Sequence, residues 1–236
     1  MRSRPDPILI LWDIDQTLVN IGSASRKLYE VAFRKATGHT LQVLADMAGR
    51  TERAIVTDTL ALHGLSAHDE MLEVFYSRLA EAAQELRPTI IQEGRAMPGA
   101  EVALTAFTVE GFIQTVVTGN IRRIAEIKLE SFGLDSYIDF EVGGYGSDGI
   151  DRATLVRLAR QRSAAFYGQD FSANRTFVIG DTPHDIRGAR DVGVRSVGVA
   201  SGNSSIEALH KADADVVLPD LRNVAELRAA IVGDHG

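Results

Sequence analysis

The feature that most constrains this sequence is an alternation of short apolar runs with helical segments, which starts after Met97. Continuously apolar runs are typical of strands that are buried on both faces of a sheet. When such strands alternate with helices, right-handed crossovers connect them into one parallel sheet. We therefore predict an α/β fold with a doubly wound parallel sheet. The predicted strands in this part of the chain are 111–117, 140–142, 176–179 and 194–199.

The first strand of the predicted sheet is separated from the others by a long helical stretch. Residues 8–12 form an apolar run that leads directly into Asp13. From Ser23 to about Arg95 the apolar residues instead follow helical spacing, and Gly38 is a typical helix stop. We interpret this stretch as an insertion. The predicted domains are a discontinuous core of residues 1–19 and 97–236 and an all-helical insertion of residues 20–96.

Composition and charge exclude several classes of protein. The 236 residues are 45% apolar and 24% charged, which is the composition of a globular protein with a sizeable core. The 32 acidic residues outnumber the 25 basic ones, and the net charge of −7 has the wrong sign for binding a phosphate backbone. We therefore expect no nucleic-acid partner.

Cysteine usage and hydropathy bear on the compartment. The chain has no Cys, which excludes disulfides, cysteinyl zinc sites and thiol nucleophiles. The apolar run near the N-terminus ends after five residues at Asp13, which is too short for a signal-peptide core. No stretch approaches the ~18 to 20 apolar residues of a membrane span. We expect a cytoplasmic protein with no membrane partner.

Polar residues stand directly after each predicted strand. In open parallel sheets, ligands bind outside the carboxyl ends of the strands, so these residues are expected to meet at one edge. The set contains carboxylates, a hydroxyl and a guanidinium. Its members are Asp13 and Asp15 after the first strand, Thr118, Gly119 and Asn120 after the second, Arg152 after the third, and Asp181 and Asp185 after the fourth.

This set of side chains points to phosphoryl transfer. Carboxylates that share a site repel one another unless a cation neutralises them, and a few hard oxygen ligands suit Mg²⁺. A Mg²⁺ ion, a fixed Arg and a Thr hydroxyl bind a phosphoryl group, which leaves one carboxylate free to attack the phosphorus. The sequence therefore predicts a Mg²⁺ cofactor and an aspartyl-phosphate intermediate.

Three short motifs at the strand ends resemble those of the haloacid dehalogenase-like superfamily. Asp13-Ile14-Asp15-Gln16-Thr17 resembles its first motif, Val116-Val117-Thr118-Gly119-Asn120 its second, and Gly180-Asp181-Thr182-Pro183-His184-Asp185 its fourth. The resemblance covers nearly the whole chain, because the helical insertion stands where the superfamily has a helical cap. It implies the Rossmann-like core of that superfamily. The pattern is most similar to the phosphoglycolate phosphatase-like and β-phosphoglucomutase-like members.

The resemblance implies roles for the acids of the first and fourth motifs. Asp13 is expected to be the nucleophile and a Mg²⁺ ligand. Asp15 is expected to be the general acid and base, with its main-chain carbonyl on the metal. Asp181 is expected to ligate Mg²⁺, and Asp185 to hold the ion directly or through water.

The resemblance also implies which groups bind the phosphoryl group. They are the Thr118 hydroxyl and the backbone N–H groups of Gly119 and Asn120. The third motif usually places a Lys, whereas Arg152 stands at the matching position here, and Arg can bind two phosphate oxygens at once. Lys128 is the rival candidate, but it stands eight residues after Asn120, about 12 Å along a helix axis at ~1.5 Å per residue. We therefore assign the role to Arg152.

Two further positions concern the loops around the predicted site. Gly49-Arg50-Thr51 precedes a predicted helix of the insertion. In capped relatives a basic residue on this loop reaches the leaving group of the substrate, which makes Arg50 a candidate for substrate binding. Gln16 stands where the superfamily most often has Gly, so the loop after the first strand departs from the pattern. A cap that closes over the site excludes water and bulky substrates.

Several of these residues have ordinary structural explanations when they are taken one at a time. Asp181 suits the N-cap of a helix that continues with Pro183. Thr118 suits the interior of a strand, and Arg50 and His184 suit an exposed surface. Only their occurrence together at the strand ends favours an active site.

These expectations favour a Mg²⁺-dependent phosphatase that hydrolyses a small phosphorylated metabolite. A phosphomutase of the β-phosphoglucomutase type would use the same residues and is the nearest alternative. A binding or regulatory protein that keeps the fold without turnover is an alternative from a different class. A carbon–halogen dehalogenase and a phosphonate hydrolase are disfavoured, because the second acid of the first motif, Asp15, is present. The oligomeric state stays open between monomer and dimer.

Overall fold

The computed structural model describes residues 7–233, so residues 1–6 and 234–236 of the predicted core domain lie outside the described residues. The strands are β1 (Leu9–Trp12), β2 (Val19–Asn20), β3 (Arg95–Ala96), β4 (Ile113–Val116), β5 (Thr176–Gly180), β6 (Arg195–Val199) and β7 (Val216–Leu218). The helices are α1 (Ala24–Thr37), α2 (Glu52–Leu62), α3 (Asp69–Glu85), α4 (Arg87–Glu93), α5 (Ala100–Val109), α6 (Arg122–Glu130), α7 (Arg152–Tyr167), α8 (Pro183–Val192), α9 (Ile206–Lys211) and α10 (Val224–Val232).

Five strands form one sheet in the order β4-β1-β5-β6-β7, and every pairing in it is parallel. All four residues of β1 are buried. Side chains alternate between the faces of a strand, so Leu9 and Leu11 join one hydrophobic cluster while Ile10 and Trp12 join another. Burial on both faces explains why this strand is continuously apolar. The predicted α/β fold with a doubly wound parallel sheet is confirmed.

Helices cover both faces of the sheet. On one face, Leu155 of α7 and Ala189 of α8 belong to the cluster that contains Leu9. On the other face, the ring of Phe107 in α5 stacks on Trp12 with ring centroids 6.0 Å apart. Within the described part of the chain, no helix is both long and apolar enough to cross a bilayer.

Helices α1 to α4 form an insertion between β2 and β3. These two short strands pair antiparallel, with Val19 opposite Ala96, so the chain leaves and re-enters the core at neighbouring points. Inside the insertion, Phe33 of α1 meets Phe75 of α3 with ring centroids 6.3 Å apart. Both rings belong to the same hydrophobic cluster as Trp12 of the sheet. Apolar packing is therefore continuous from the core into the insertion, and the division into two domains stays a prediction.

The predicted strand at 140–142 is wrong, because Phe140–Val142 is a 3₁₀-helix. The Asp139 side chain accepts a hydrogen bond of 2.9 Å from the N–H of Glu141 and so caps this turn. The chain rejoins the edge of β4 beyond the turn, where the N–H of Gly144 donates to the carbonyl of Val116 at 2.9 Å. Because the side chain of Asp139 stabilises this turn, the segment forms a 3₁₀-helix instead of the strand that the apolar run predicts.

A pair of glycine substitutions tests how tightly α5 packs. Gly99 precedes α5 with a φ of 87°, and a Cβ there would lie 2.2 Å from the backbone of Leu221. Gly38 also has a positive φ, 75°, but a Cβ there would meet nothing within 4 Å. We expect Gly38→Ala to lower the free energy of unfolding by about 1 kcal/mol through backbone strain alone. We expect Gly99→Ala to lower it by about 2–4 kcal/mol, because overpacking adds to the strain.

Urea unfolding followed by circular dichroism measures both losses. Equal losses in the two variants would contradict the close contact between Gly99 and the segment around Leu221.

Candidate active site

A cavity of about 390 Å³ lies at the carboxyl edge of the sheet, with the insertion as its opposite wall. Most of the predicted site residues line it: Asp13, Asp15, Arg50, Gly119, Asn120, Arg152 and Asp181. Thr118 and Asp185 are fully buried and lie behind this lining. The topology explains the meeting point, because β1, β4 and β5 are neighbours and run in the same direction.

Three carboxylates form a buried cluster beneath the cavity. Asp13, Asp181 and Asp185 each offer an oxygen within 4.8 Å of the others. Oδ1 of Asp181 is fully buried and accepts no hydrogen bond from any of residues 7–233. Buried carboxylates are costly unless a cation meets them. The hard oxygen donors of this cluster fit a divalent ion such as Mg²⁺.

The start of α8 explains why the carboxylate of Asp181 faces the cluster. Thr182 is the N-cap, and its hydroxyl accepts a hydrogen bond of 3.3 Å from the N–H of Asp185. Asp185 Oδ2 in turn accepts from the N–H of Thr182 at 3.1 Å, which completes a capping box. The alternative in which Asp181 caps the helix is therefore wrong, and its carboxylate is free to meet Asp13.

Arg152 is the cation of this cluster. Its Nε lies 3.1 Å from Asp185 Oδ1, and its Nη1 lies 3.4 Å from Asp13 Oδ1. Nη1 also donates to the carbonyl of Val117, just beyond β4, at 3.1 Å. The guanidinium is buried, so these contacts hold it in one orientation between two of the three acids.

The cluster shifts the pKa values of its members. Burial, and then the neighbouring charge of Asp185, hold the pKa of Asp13 well above its usual range. The same two causes raise the pKa of Asp181 to about 8. Burial alone would lower the pKa of Arg152, but the carboxylates of Asp185 and Asp13 raise it above its usual value. One guanidinium is thus insufficient to keep the pKa values of Asp13 and Asp181 in their usual range, which is the electrostatic reason that the cluster suits a divalent cation.

The turn after β4 positions a hydroxyl behind the cavity. Thr118 Oγ1 accepts hydrogen bonds from the backbone N–H of Asn120 at 3.2 Å and from its side-chain Nδ2 at 2.7 Å. A hydroxyl has two acceptor positions and one donor. Both acceptor positions are therefore used, which leaves the hydroxyl proton of Thr118 as the donor. The backbone N–H of Asn120 is engaged by Thr118 in this arrangement, so its predicted role toward a phosphoryl group stays a prediction.

Asp15 stands apart from the three buried carboxylates and has its own cation. Lys128 Nζ lies 2.7 Å from both carboxylate oxygens of Asp15 and 2.7 Å from Asn120 Oδ1. Asn120 Nδ2 donates to Asp15 Oδ2 at 2.8 Å. The expectation that Lys128 lies too far from the site is therefore wrong. The rise along a helix axis gives the spacing within that helix, whereas Asp15 reaches Lys128 at the flank of α6.

The sequence analysis treats Arg152 and Lys128 as alternatives for one role, but the structure brings both cations to the site. The sequence interpretation assigns that role to Arg152. Arg152 contacts Asp13 and Asp185, while Lys128 contacts Asp15. The direct role of Arg152 toward a phosphoryl group stays a prediction.

Arg50 lines the cavity, but its guanidinium is engaged. Nη2 donates to Asp58 Oδ2 at 2.6 Å, and Nη1 donates to the carbonyl of Asp46 at 3.2 Å. Asp58 lies in the middle of α2, so the pair ties the loop before this helix to the helix itself. The predicted contact between Arg50 and a leaving group stays a prediction.

Gln16 adopts a backbone conformation that favours Gly, the residue that the superfamily most often has at this position. Its φ of 64° lies in the left-handed region that favours Gly. Two contacts hold it there: Asn20 Nδ2 donates to Gln16 Oε1 at 3.0 Å, and Ser201 Oγ donates to the Gln16 carbonyl at 2.7 Å. The departure in sequence therefore leaves the fold of the loop intact at the cost of some backbone strain.

Sequence reasoning missed Tyr29 and Glu52 of the cavity wall, and it set Lys128 aside as the rival candidate to Arg152. Lys128 carries a usable signal, because it stands four residues after Ile124 on the buried stripe of α6. Tyr29 stands at an apolar position of α1 and resembles an ordinary core residue. Glu52 in the first turn of α2 resembles an ordinary acid near a helix N-terminus. Only the fold shows that these three side chains share one cavity.

Comparisons with known proteins agree with this geometry. A family model described as haloacid dehalogenase-like hydrolase matches residues 10–190. The protein named probable phosphatase IndB from Dickeya dadantii is 25% identical over 232 residues, which cover 95% of this chain and 94% of the relative. The phosphoglycolate phosphatase of Agrobacterium fabrum is 26% identical over 222 residues, with coverages of 93% and 91%. The crystal structure of a hydrolase from Pseudomonas syringae has 24% identity, a TM-score of 0.65 and coverages of 95% and 99%. The resemblance inferred from the strand-end motifs is thereby confirmed.

The repulsion within the acidic cluster predicts an unusual effect of removing a charge. A carboxyl group whose pKa is higher in the folded than in the unfolded protein stabilises the fold below its unfolded pKa and loses this contribution as the pH rises through its folded pKa. For Asp181 the loss extends from about pH 4 to about 8. We therefore expect the effect of Asp181→Asn on the free energy of unfolding to depend on pH. In metal-free protein, the change caused by the substitution should be more stabilising at pH 8 than at pH 5 by about 2 kcal/mol or more.

Asp148→Asn is the matched control, because Asp148 accepts two hydrogen bonds from Arg162, at 2.7 and 2.9 Å. This variant should lose stability at both pH values. Urea unfolding in EDTA at pH 5 and pH 8 compares the two, and a loss of stability in Asp181→Asn at pH 8 would contradict the repulsion within the cluster.

Proposed function

Because the chain belongs to the haloacid dehalogenase-like hydrolase family, we propose that it is a Mg²⁺-dependent phosphatase acting on a small phosphate monoester through a phospho-aspartate. The observation that carries the proposal is the pair of acids after β1. Asp13 is buried against Asp181, Asp185 and Arg152, whereas Asp15 is more exposed and is paired with Lys128. One strand end thus supplies two carboxylates with different surroundings, as a nucleophile and a proton-transfer group require.

The ion has a defined place in this proposal. Asp13, Asp181 and Asp185, with the main-chain carbonyl of Asp15, would hold it. When bound, Mg²⁺ supplies charge neutralisation and Lewis-acid polarisation of the phosphoryl oxygens. The orphaned Oδ1 of Asp181 is the atom whose burial this contact would offset.

The first chemical step transfers the phosphoryl group to the protein. An oxygen of Asp13 attacks the phosphorus, and the bond between phosphorus and the leaving oxygen breaks. The leaving alkoxide takes a proton from the carboxyl group of Asp15 and departs as an alcohol. The product on the protein is an acyl phosphate at Asp13.

The second step returns the protein to its starting state. Asp15, now a carboxylate, takes a proton from a water molecule whose oxygen attacks the phosphorus. The bond between phosphorus and the Asp13 oxygen breaks, which releases inorganic phosphate and restores the Asp13 carboxylate. Lys128 and Asn120 fix the Asp15 carboxylate at three hydrogen bonds of 2.7–2.8 Å, so it stays oriented through both steps.

Three other groups face the charge on the transferring phosphoryl group. Arg152 is fixed beside Asp13, and the Thr118 hydroxyl has its proton free as a donor. The backbone N–H of Gly119 lies in the same turn. Preorganised donors of this kind stabilise developing negative charge without reorganising during the reaction.

The insertion limits the substrate to a small molecule. The N–H of Glu52 in α2 donates to the Gly119 carbonyl at 2.7 Å, and the N–H of Arg53 donates to the Gly146 carbonyl at 3.1 Å. These contacts dock the insertion directly on the core beside Asp13. An insertion docked in this way leaves a cavity of about 390 Å³, which has room for a small substrate but not for a bulky one. In this proposal the acceptor is a water molecule rather than a sugar hydroxyl. With a hexose phosphate, free phosphate equal to the substrate consumed distinguishes hydrolysis from transfer to another hydroxyl.

Substitution of the two acids after β1 separates the two steps. We expect Asp13→Asn to lower kcat for 4-nitrophenyl phosphate at least about a thousandfold, because the nucleophile is lost. We expect Asp15→Asn to release about one equivalent of 4-nitrophenol in a burst and then to turn over slowly. Nitrophenolate needs little protonation to leave, whereas the attack by water needs the base.

Stopped-flow absorbance and trapping of the phosphoprotein in acid measure the two outcomes. An Asp13→Asn variant that is folded by circular dichroism and keeps the full rate would remove Asp13 as the nucleophile.

Removal of divalent ions should abolish the phosphatase activity. In excess EDTA we expect no hydrolysis of 4-nitrophenyl phosphate, and added Mg²⁺ should restore it, because the carboxylate cluster then regains its cation. Asp181→Asn should need at least about tenfold more Mg²⁺ for half-maximal rate, whereas Asp148→Asn should not change this requirement. Full activity of the wild-type protein in EDTA would show that the cluster does not work through a divalent ion.

A further inference from the structure

The wall of the cavity opposite Asp13 belongs to the insertion, so it faces the leaving group of a bound phosphate monoester. Much of this wall is apolar: Leu28 of α1, Ile55 of α2 and Leu79 of α3 line it, with Ile124 of α6 beside them. Among the described residues of the insertion that line the cavity, one carboxyl group is buried. This is Glu52, the first residue of α2.

Glu52 is a buried carboxylate with an unused acceptor. Its side chain is part of a residue that is only 5% exposed. Oε2 accepts a hydrogen bond from the hydroxyl of Tyr29. Oε1 has no donor among residues 7–233. Burial raises the pKa of Glu52 to about 7, even though Tyr29 and Lys128 act to lower it. A carboxylate in this position is stabilised by any cationic donor that enters the cavity.

The cations around the cavity are already engaged. Lys128 Nζ has three donors, and three acceptor oxygens surround it at 2.7 Å, two of Asp15 and one of Asn120. Arg50 is paired with Asp58. Arg152 lies among the acids of the cluster. Among the described residues that line the cavity, no cation is free to meet a carboxylate on a leaving group.

The charges of the residues that line the cavity also argue against a carboxylate on the leaving group. Five acids line the cavity, against three basic residues; the acids are Asp13, Asp15, Asp46, Glu52 and Asp181, and the bases are Arg50, Lys128 and Arg152. A bound divalent cation would neutralise the lining, and the buried Asp185 behind it would leave a net charge of −1. A dianionic phosphoryl group then makes the filled cavity negative, so a third negative charge near Glu52 is disfavoured and a positive one is favoured.

We propose that the preferred substrate is a phosphate monoester of a small amino alcohol, whose ammonium group donates to Glu52 while the phosphoryl group lies at Asp13. This inference rests on the proposed phosphatase function and deepens it. The apolar side chains around Glu52 contact the carbon chain between the two charged ends. The N–H of Glu52 donates a hydrogen bond to the carbonyl of Gly119. The residue that would bind the ammonium group is therefore bonded directly to the turn after β4, which would bind the phosphoryl group.

Three two-carbon phosphates test this inference, because they differ only at the far end of the leaving group. They are 2-aminoethyl phosphate, 2-hydroxyethyl phosphate and 2-phosphoglycolate. We expect kcat/KM to fall in this order, with at least about a tenfold difference between the amine and the carboxylate. Glu52→Gln should reduce the ratio between the amine and the carboxylate at least about tenfold. A ratio within one variant does not depend on the fraction of the protein that is folded.

Glu93→Gln is the matched control, because it removes one negative charge from an exposed position of the insertion outside the cavity. It should leave the ratio as in the wild-type protein. A change of the ratio in this control equal to that in Glu52→Gln would overturn a local role of Glu52.

Binding supplies a readout that does not need turnover. Calorimetry with wild-type protein should show tighter binding of 3-aminopropylphosphonate than of 3-phosphonopropionate, by about tenfold or more. Equal binding of the two, or tighter binding of the carboxylate, would overturn the inference.

The failure of this inference and the failure of the proposed function give different results. If 4-nitrophenyl phosphate is hydrolysed but 2-phosphoglycolate is the best of the three substrates, or if Glu52→Gln leaves the ratio unchanged, the inference on the substrate is wrong and the phosphatase stands. If no phosphate ester is hydrolysed with Mg²⁺ present, both are wrong.

Discussion

The repulsion among Asp13, Asp181 and Asp185 is the constraint on which the rest of the site depends. Three carboxylates within 4.8 Å of one another, all buried, are tolerated only where other groups offset their charge. Arg152 lies between two of them, and the capping box at α8 uses one oxygen of Asp185. Oδ1 of Asp181 is left without a donor. A divalent cation fits this set of oxygen donors, so in our proposal the same ion offsets the repulsion within the cluster and takes part in the chemistry.

The second acid after β1 has a different environment, which is the basis of the different roles that we propose for the two carboxylates. Asp15 is partly exposed, and Lys128 and Asn120 hold it by hydrogen bonds. Both partners come from the segment that follows β4, so the turn that places Thr118 also orients Asp15. The insertion adds Glu52 to the same cavity, where the charge of Lys128 acts to lower the pKa of Glu52. One cavity thus brings together the buried acidic cluster, the pair of Asp15 with Lys128, and the buried carboxyl group of Glu52.

Pattern reasoning succeeded where the physical cause is local. Burial on both faces requires apolar residues at every position of β1, so Leu9 to Trp12 can be recognised as a strand without any knowledge of its neighbours. The parallel order of the strands then predicts that their carboxyl ends meet, which places Asp13, Arg152 and Asp181 around one cavity. The same reasoning failed at 140–142, where the side chain of Asp139 caps a turn that an apolar run alone cannot reveal. It also failed at Lys128, because a distance measured along one helix carries no information about the segment packed beside it.

The amino-acid sequence by itself determined the fold class, the acids at the strand ends and the family, because each depends on residue types at short and regular spacing. Only the tertiary structure decided which cation meets which acid, that Thr182 rather than Asp181 caps α8, and that Glu52 lines the same cavity as Asp13. The physical reason is that the acid–cation pairs and Glu52 bring together segments that are far apart in the chain, so their distances are set by how the helices pack. At α8, two adjacent residues both suit the N-cap, so local preference alone does not choose between them.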